Sequence, residues 1–169
     1  MRTVDSPNQD ERPPGSVPTL AVIHCISLPP GEYGGDAIER LFTNRLDPGA
    51  HPYFRALSGL RVAAHFLVRR DGALVQFVPL HLRAWHAGAS SWRGRARCND
   101  FSVGIELEGA DDDAFAPAQY TRARELIHAL CARLPLRGLA AHSDIAPGRK
   151  TDPGARFDWP RLLRDLSHI

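Results

Sequence analysis

Thr19-Leu-Ala-Val-Ile-His-Cys-Ile26 is a short, almost uninterrupted apolar run with one histidine near its end, closed by Pro29-Pro30-Gly31. A run of this length bounded by turn formers reads as a buried strand. Further strands follow the same logic. Val62 to Val68 and Leu74 to Val78 flank Arg70-Asp71-Gly72, and Asp-Gly between two such runs predicts a hairpin. Phe101 to Glu108 and Leu139-Ala-Ala-His142 complete the set. Helices are expected between them: one from Gly34-Gly35-Asp36 to Phe42 with Asp36 as cap, one over Pro117–Leu134, and one from Asp158 to the C-terminus with Pro160 in its first turn. In the second of these, Tyr120, Ala123, Ile127, Leu130, Cys131 and Leu134 recur at helical spacing, which places Cys131 in the core. The fold class is therefore α/β: a single domain with a central mixed β-sheet flanked by helices. Residues 1–18 are polar, hold four prolines and read as an extended N-terminal arm packed on a domain spanning 19–169. Residues 44–60 and the stretch from His81 to Cys98 are expected to be long loops, and long loops in compact domains are often functional.

Composition narrows the function classes. At 169 residues, 43% apolar and 24% charged, the chain reads as one soluble domain with a real core. Arginines are many, but 19 acidic residues interleave with them and the net charge is only +2, so no nucleic-acid partner is expected. Cys25, Cys98 and Cys131 fit neither a disulfide framework nor a paired-cysteine metal site. No segment has the length of a signal peptide h-region or a membrane span, so the expectation is a cytoplasmic protein with no membrane partner.

Several residues carry chemistry. His24 lies near the end of the first buried strand, His142 ends a later one, and Asp152 follows in a loop fixed by Pro and Gly. Two imidazoles and a carboxylate are a three-ligand set for catalytic zinc. With eight histidines in the chain, however, spacing alone does not choose the pair. In Ser102-Val-Gly-Ile-Glu-Leu-Glu-Gly109, alternation puts Gly104, Glu106 and Glu108 on one face. Either glutamate could act as general base beside a metal. Alternatively the pair faces solvent, or forms the acid and base of an inverting glycosidase, since i,i+2 carboxylates sit ~7 Å apart. Cys25 adjoins His24, but adjacent strand residues point to opposite faces, which argues against a Cys/His nucleophile. Lys150 is the only lysine among the 21 basic residues, and it sits two positions before Asp152. Its retention in an arginine-rich chain points to a task that needs a compact point charge. Trp85 and Trp92, in a Gly-flanked loop, could stack on a substrate or simply anchor the loop.

Taken together, seven ordered blocks resemble the 1,6-anhydro-N-acetylmuramyl-L-alanine amidases of the AmpD type, part of the zinc amidase group that includes the peptidoglycan recognition proteins. They are Ser6-Pro-Asn; His24 to Gly35; Asp47-Pro with His51-Pro-Tyr-Phe54 and Leu60-Arg-Val; His65 to Gly72; Arg83-Ala-Trp-His-Ala-Gly88; Arg97 to Gly109; and His142 to Gly154. The resemblance covers nearly the whole chain. It implies one zinc ion per chain on His24, His142 and Asp152, with Glu106 and Lys150 as catalytic residues. It further implies Arg61 and Arg97 gripping peptide carboxylates, and the Ala146 backbone and Trp85 lining the site. Where the family usually has Asn after its first zinc histidine, this chain has Cys25, at a position implied to touch the muramyl moiety. The implied substrate is a small anhydromuramyl peptide, hydrolysed by a monomer in the cytoplasm during cell-wall recycling. Two rivals predict other outcomes: a non-catalytic peptidoglycan-binding module, and a metal-free glycosidase using Glu106 and Glu108.

Overall fold

The computed structural model describes residues 1–166. In chain order the strands are β1 (Arg2–Thr3), β2 (Gln9–Glu11), β3 (Leu20–Ile26), β4 (Phe66–Val68), β5 (Leu74–Gln76), β6 (Leu82–Ala84), β7 (Ser91–Trp92), β8 (Arg95–Ala96), β9 (Ser102–Glu108) and β10 (Gly138–Ala141). The helices are α1 (Ala37–Phe42), α2 (Pro117–Cys131), α3 (His142–Ile145) and α4 (Trp159–Leu163). Six strands form one mixed sheet in the order β1-β5-β4-β9-β3-β10. From β4 to β10 the neighbours are parallel; β5 folds back antiparallel on β4 through the Arg70-Asp71-Gly72 turn, where Gly72 takes φ +82°. The apolar run Thr19–Ile26 thus supplies a central strand, and Leu20–Ile23 are at most 1% exposed.

One face of the sheet carries Ile23, Val103, Ile105 and Leu107 against Ala123, Ile127 and Leu130 of α2 and Leu162 of α4. Gln119, fully buried, clamps α2 in place: its amide donates to the carbonyls of Val68 and Glu108, and its oxygen accepts from Ala116 N–H. A second cluster, with Phe42, Phe54, Leu67 and Phe77, lies under α1 and the 3-10 turn Pro52–Leu57. The N-terminal segment is tied in deeply. β1 extends the main sheet beside β5, β2 pairs with β6, and the buried Arg12 donates to four backbone carbonyls of Leu80, Asn99, Asp100 and Ser102.

Several expectations need correction. Cys131 is exposed, because the helix ends there and Leu134 packs against the core instead. Val62–His65 does not extend β4: Ala63 N–H bonds to Trp85 and His65 N–H to Gly104, so no single ladder continues. His142 is not the end of a strand. The ladder stops at Ala141, whose N–H bonds to Asp144, and His142 opens α3. Asp36 is the N-cap residue of α1 as expected, but its side chain binds Arg40 and makes no capping bond. The C-terminal helix is one short turn-and-a-half, capped as expected by Asp158 to Arg161 N–H, and its expected continuation over 167–169 lies outside the described residues. No helix among the described residues is long and apolar enough to cross a membrane.

Candidate active site

Three adjacent parallel strands place the chemistry at one level. In register, His24 on β3 sits opposite Glu106 on β9, and Ile23 opposite Ala141 on β10, so His142 emerges one residue further on beside His24. Asp152 arrives from the following loop, whose backbone is held to α3 by Ser143 N–H donating to the Asp152 carbonyl. This is the C-terminal edge of parallel strands, where α/β sheets gather ligands.

The Nδ1 atoms of His24 and His142 are 2.9 Å apart, and the Asp152 Oδ2 lies 3.2 Å from the first and 3.0 Å from the second. Both histidines are buried. The Nε2 of His142 faces the Ala87 carbonyl at 3.2 Å, which only accepts, so its proton sits there and Nδ1 turns a lone pair inward. The three atoms therefore converge as donors of electron pairs. A tetrahedral ion with bonds of ~2.0–2.1 Å holds neighbouring ligand atoms roughly 3.3 Å apart. The observed separations suit such an ion, so the donor set fits a first-row divalent cation. Burial depresses the His24 pKa to about 4, against the opposing pull of Asp152. Burial raises the Asp152 pKa, but the proximity of the His142 and His24 rings outweighs it and holds the carboxyl below the ordinary carboxylate range. His24 is thus neutral and Asp152 ionised at neutral pH, as ligation requires.

Glu106 lines the same cavity, is 9% exposed, and its Oε2 has no hydrogen-bond partner. Burial first, and then the Asp152 charge, push its pKa well above the ordinary value, with Lys150 pulling the other way. A buried carboxyl with an unfilled oxygen and a raised proton affinity is equipped to accept a proton from a reacting group. Glu108 has a different fate. It is 2% exposed and accepts from Arg69 Nη1 (2.9 Å), Gly34 N–H (2.7 Å) and Arg70 N–H (3.2 Å). It lines a separate groove. The two carboxylates share a face, but they neither face solvent nor open into one site, which removes the basis for an acid–base pair.

The cavity encloses about 750 Å³. Lys150, exposed, lines it together with Arg61, Trp85 and Cys25. The Cys25 thiol donates to Asp111, and burial raises its pKa far above the usual range, so it is a polar wall and no nucleophile. Tyr53 and Leu60, both exposed and both from the long loop, line it as well. Arg97 is not part of this cavity: it takes φ 64°, its side chain is 72% exposed, and its Nε pairs with Asp100 at 3.2 Å. Ala146 is buried behind the site. Its N–H bonds to His142, and its carbonyl accepts from the N–H groups of Arg149 and Lys150, so it shapes the loop that presents Lys150. Trp92 packs against Leu20, Val22 and their neighbours as a loop anchor. Nothing in the sequence assigns a role to Asp111, Arg149 or His86, which the structure places in the cavity wall. Asp111 lies in an acidic turn that reads as solvated surface, and His86 is one histidine of eight with no spacing signal.

Comparison with known proteins agrees with this geometry. The model of a family described as N-acetylmuramoyl-L-alanine amidase matches residues 14–155. The 1,6-anhydro-N-acetylmuramyl-L-alanine amidase AmpD of Citrobacter freundii is 56% identical over 172 residues, covering 99% of this chain and 92% of that protein. A crystal structure of an AmpD selenomethionine derivative superposes with a TM-score of 0.95 at 55% identity, covering 98% of this chain and 93% of the other. More distantly, the Escherichia coli amidase AmiD, in complex with anhydro-N-acetylmuramic acid-L-Ala-D-gamma-Glu-L-Lys, matches with a TM-score of 0.64 at 30% identity, covering 92% of this chain and 61% of that one.

Proposed function

The chain belongs to the N-acetylmuramoyl-L-alanine amidase family, and from that premise we propose that it is a zinc-dependent 1,6-anhydro-N-acetylmuramyl-L-alanine amidase of cell-wall recycling. The bond cleaved joins the lactyl group of (anhydro)muramic acid to L-alanine of a peptidoglycan stem peptide. His24, His142 and Asp152 would hold one zinc ion per chain. Bound there, zinc supplies Lewis acidity for acyl transfer. Glu106 accepts the proton of the attacking water at its unfilled oxygen and delivers it to the leaving amine of L-alanine. The Lys150 ammonium, at the cavity edge, faces the oxygen on which negative charge develops. Arg61 pairs with a carboxylate of the stem peptide, and Trp85 and Cys25 flank the sugar and peptide. Arg97, whose exposed side chain pairs with Asp100 in the free protein, is the second arginine for a peptide carboxylate. The setting is the bacterial cytoplasm, the working form is a monomer, and recycled fragments rather than intact wall are the substrate.

The observation that carries this reading is the convergence of two imidazole nitrogens and a carboxylate oxygen beside an unpartnered buried glutamate in one cavity. The test is metal content by mass spectrometry together with product mass from an anhydromuramyl tripeptide. Stoichiometric zinc with release of anhydromuramyl sugar and free tripeptide supports it. Full activity without metal, or a cut glycan, sinks it.

A further inference from the structure

Behind the ligand cluster lies a file of side chains to which the mechanism above gives no role. His24 Nε2 faces His86 Nδ1 at 2.9 Å, His86 Nε2 faces Ser102 Oγ at 3.0 Å, and Ser102 Oγ donates to the Cys98 carbonyl at 2.6 Å. Donor arithmetic fixes the direction of every bond in this file. A carbonyl oxygen only accepts, so the single hydroxyl proton of Ser102 is committed to Cys98. Ser102 Oγ can then only accept from His86, which places a proton on His86 Nε2. A second proton on that ring would make an imidazolium with no carboxylate hydrogen-bonded to it, a costly arrangement in an enclosed site. His86 Nδ1 is therefore an acceptor, and His24 Nε2 must donate to it.

From this we infer that His86, backed by Ser102, is a positioning residue that sets the tautomer of His24 and turns its Nδ1 lone pair toward Asp152 and His142 before any metal arrives. The inference rests on the metal reading above and deepens it. The opposite tautomer would place a hydrogen where a ligand lone pair is needed; the two rings meet edge-on, with centroids 5.0 Å apart and planes at 88°.

The surroundings are built to hold His86. Its own N–H and that of Ala87 both bond to Asn99 Oδ1, at 3.2 and 2.8 Å, which fixes the loop. Its ring lies over Gly104 of β9, where a Cβ would come within 2.5 Å of the imidazole, so this strand position admits the ring only as glycine. The neighbouring His65 does not compete for the protons of the file. Its Nδ1 accepts from Gly104 N–H, which leaves its own proton on Nε2, between the Leu82 carbonyl at 3.2 Å and the Arg12 guanidinium at 3.0 Å.

The decisive measurements are imidazole nitrogen chemical shifts of the unaltered, zinc-free protein and titration of zinc alone into variants. The shifts should report His24 and His86 both protonated at Nε2. His86→Leu removes the acceptor and should weaken zinc binding ~10–100-fold, the usual effect of losing such an outer partner. His86→Gln keeps an acceptor oxygen and a donor amide and should recover most of the affinity, and Ser102→Ala should fall between them. A His24 proton on Nδ1 in the unaltered protein, or equal zinc affinity across the folded variants, overturns the assignment while leaving the metal site intact. Failure of the unaltered protein to bind zinc overturns the metal reading itself, and this assignment with it. The shift measurement needs no substitution, so it decides the matter even where His86→Leu does not fold.

Discussion

Glu106 and Glu108, two residues apart on one face of β9, should respond to the same substitution in opposite ways. In Glu108→Gln the amide nitrogen replaces one carboxylate oxygen, and each oxygen is occupied. Oε1 accepts from Arg69 and Gly34, and Oε2 accepts from Arg70 N–H. Whichever way the amide turns, an NH₂ meets a donor, and Arg69, only 12% exposed at its side chain, loses its buried counter-charge apart from Glu39. Breaking one partner of a buried pair costs ~3–5 kcal/mol. At ~2–4 °C per kcal/mol for a chain of this size, the melting temperature should fall by about 6–20 °C. Glu106→Gln removes nothing of the kind, because its buried Oε2 bonds to no protein group. Its stability should stay within ~1 kcal/mol of the parent or rise, since a buried carboxylate is relieved. The catalytic order reverses: Glu106→Gln should lose ~10²–10⁴-fold in kcat with zinc still bound, and Glu108→Gln, assayed well below its melting temperature, should keep most of its turnover. Thermal unfolding followed by circular dichroism, zinc content and hydrolysis of an anhydromuramyl tripeptide give the three readouts. An inactive but stable Glu108→Gln beside an active Glu106→Gln would refute the assignment of both residues.

Stripping the metal with a chelator should abolish hydrolysis and added zinc should restore it, while His142→Ala should lose both metal and turnover; activity that survives chelation counts against the ligand set. Lys150→Arg should retain zinc and fold but lose ~10-fold or more in kcat, because a planar guanidinium misplaces charge that an ammonium centres; near-parental turnover would make the lone lysine an accident of composition. His65 gives a pH signature in the zinc-free protein. Burial, and then the Arg12 charge, lower its pKa to about 3, against ~6.5 in the unfolded chain, so below ~6.5 the unfolded state binds a proton that the folded state refuses. That contribution is fully present above the unfolded value and falls by ~1.4 kcal/mol per pH unit toward the folded one; His65→Gln should flatten urea-derived stability between pH 6 and 4 by that slope, and parallel curves for the two proteins would refute it.

What the sequence made legible follows the length of the pattern. The Thr19–Ile26 run and the Pro117 helix carry enough residues for burial and period to be read, and both are where they were expected. β1, β2, β6, β7 and β8 hold two or three residues each, too few for any alternation; β1, β2 and β6 exist only because distant partners complete their ladders, and β7 and β8 pair only with each other across Arg93-Gly94. Alternation correctly put Glu106 and Glu108 on one face, but it could not see that Arg69 and the Gly34 loop would claim the second. The histidines show the same limit. Nothing local distinguishes His24 and His142 from His65 and His86; strand order does, and the family resemblance supplied the pairing that spacing left open. Arg97 carries a role that only likeness implies, at a position whose exposed side chain pairs with Asp100.

Register is what makes the site, and the structure pins it with the residue that does no chemistry. Sliding β9 by two positions along β3 would keep every side chain on its face and bring Glu108 opposite His24 in place of Glu106. Alternation alone therefore tolerates the wrong glutamate beside the metal ligands. The distinction lies at the strand end, where Glu108 is held by Arg69, by the N–H of Arg70 at the end of β4 and by the N–H of Gly34 in the loop after β3. Those anchors come from both strands that flank β9, so they fix its register from two sides at once. Gly104 adds a third constraint, because only a glycine at that level leaves room for the His86 ring. A slip would bring Glu106 there and drive a carboxylate into the imidazole. Placing Glu106 at the metal site is thus a consequence of Glu108 being immobile and Gly104 being bare.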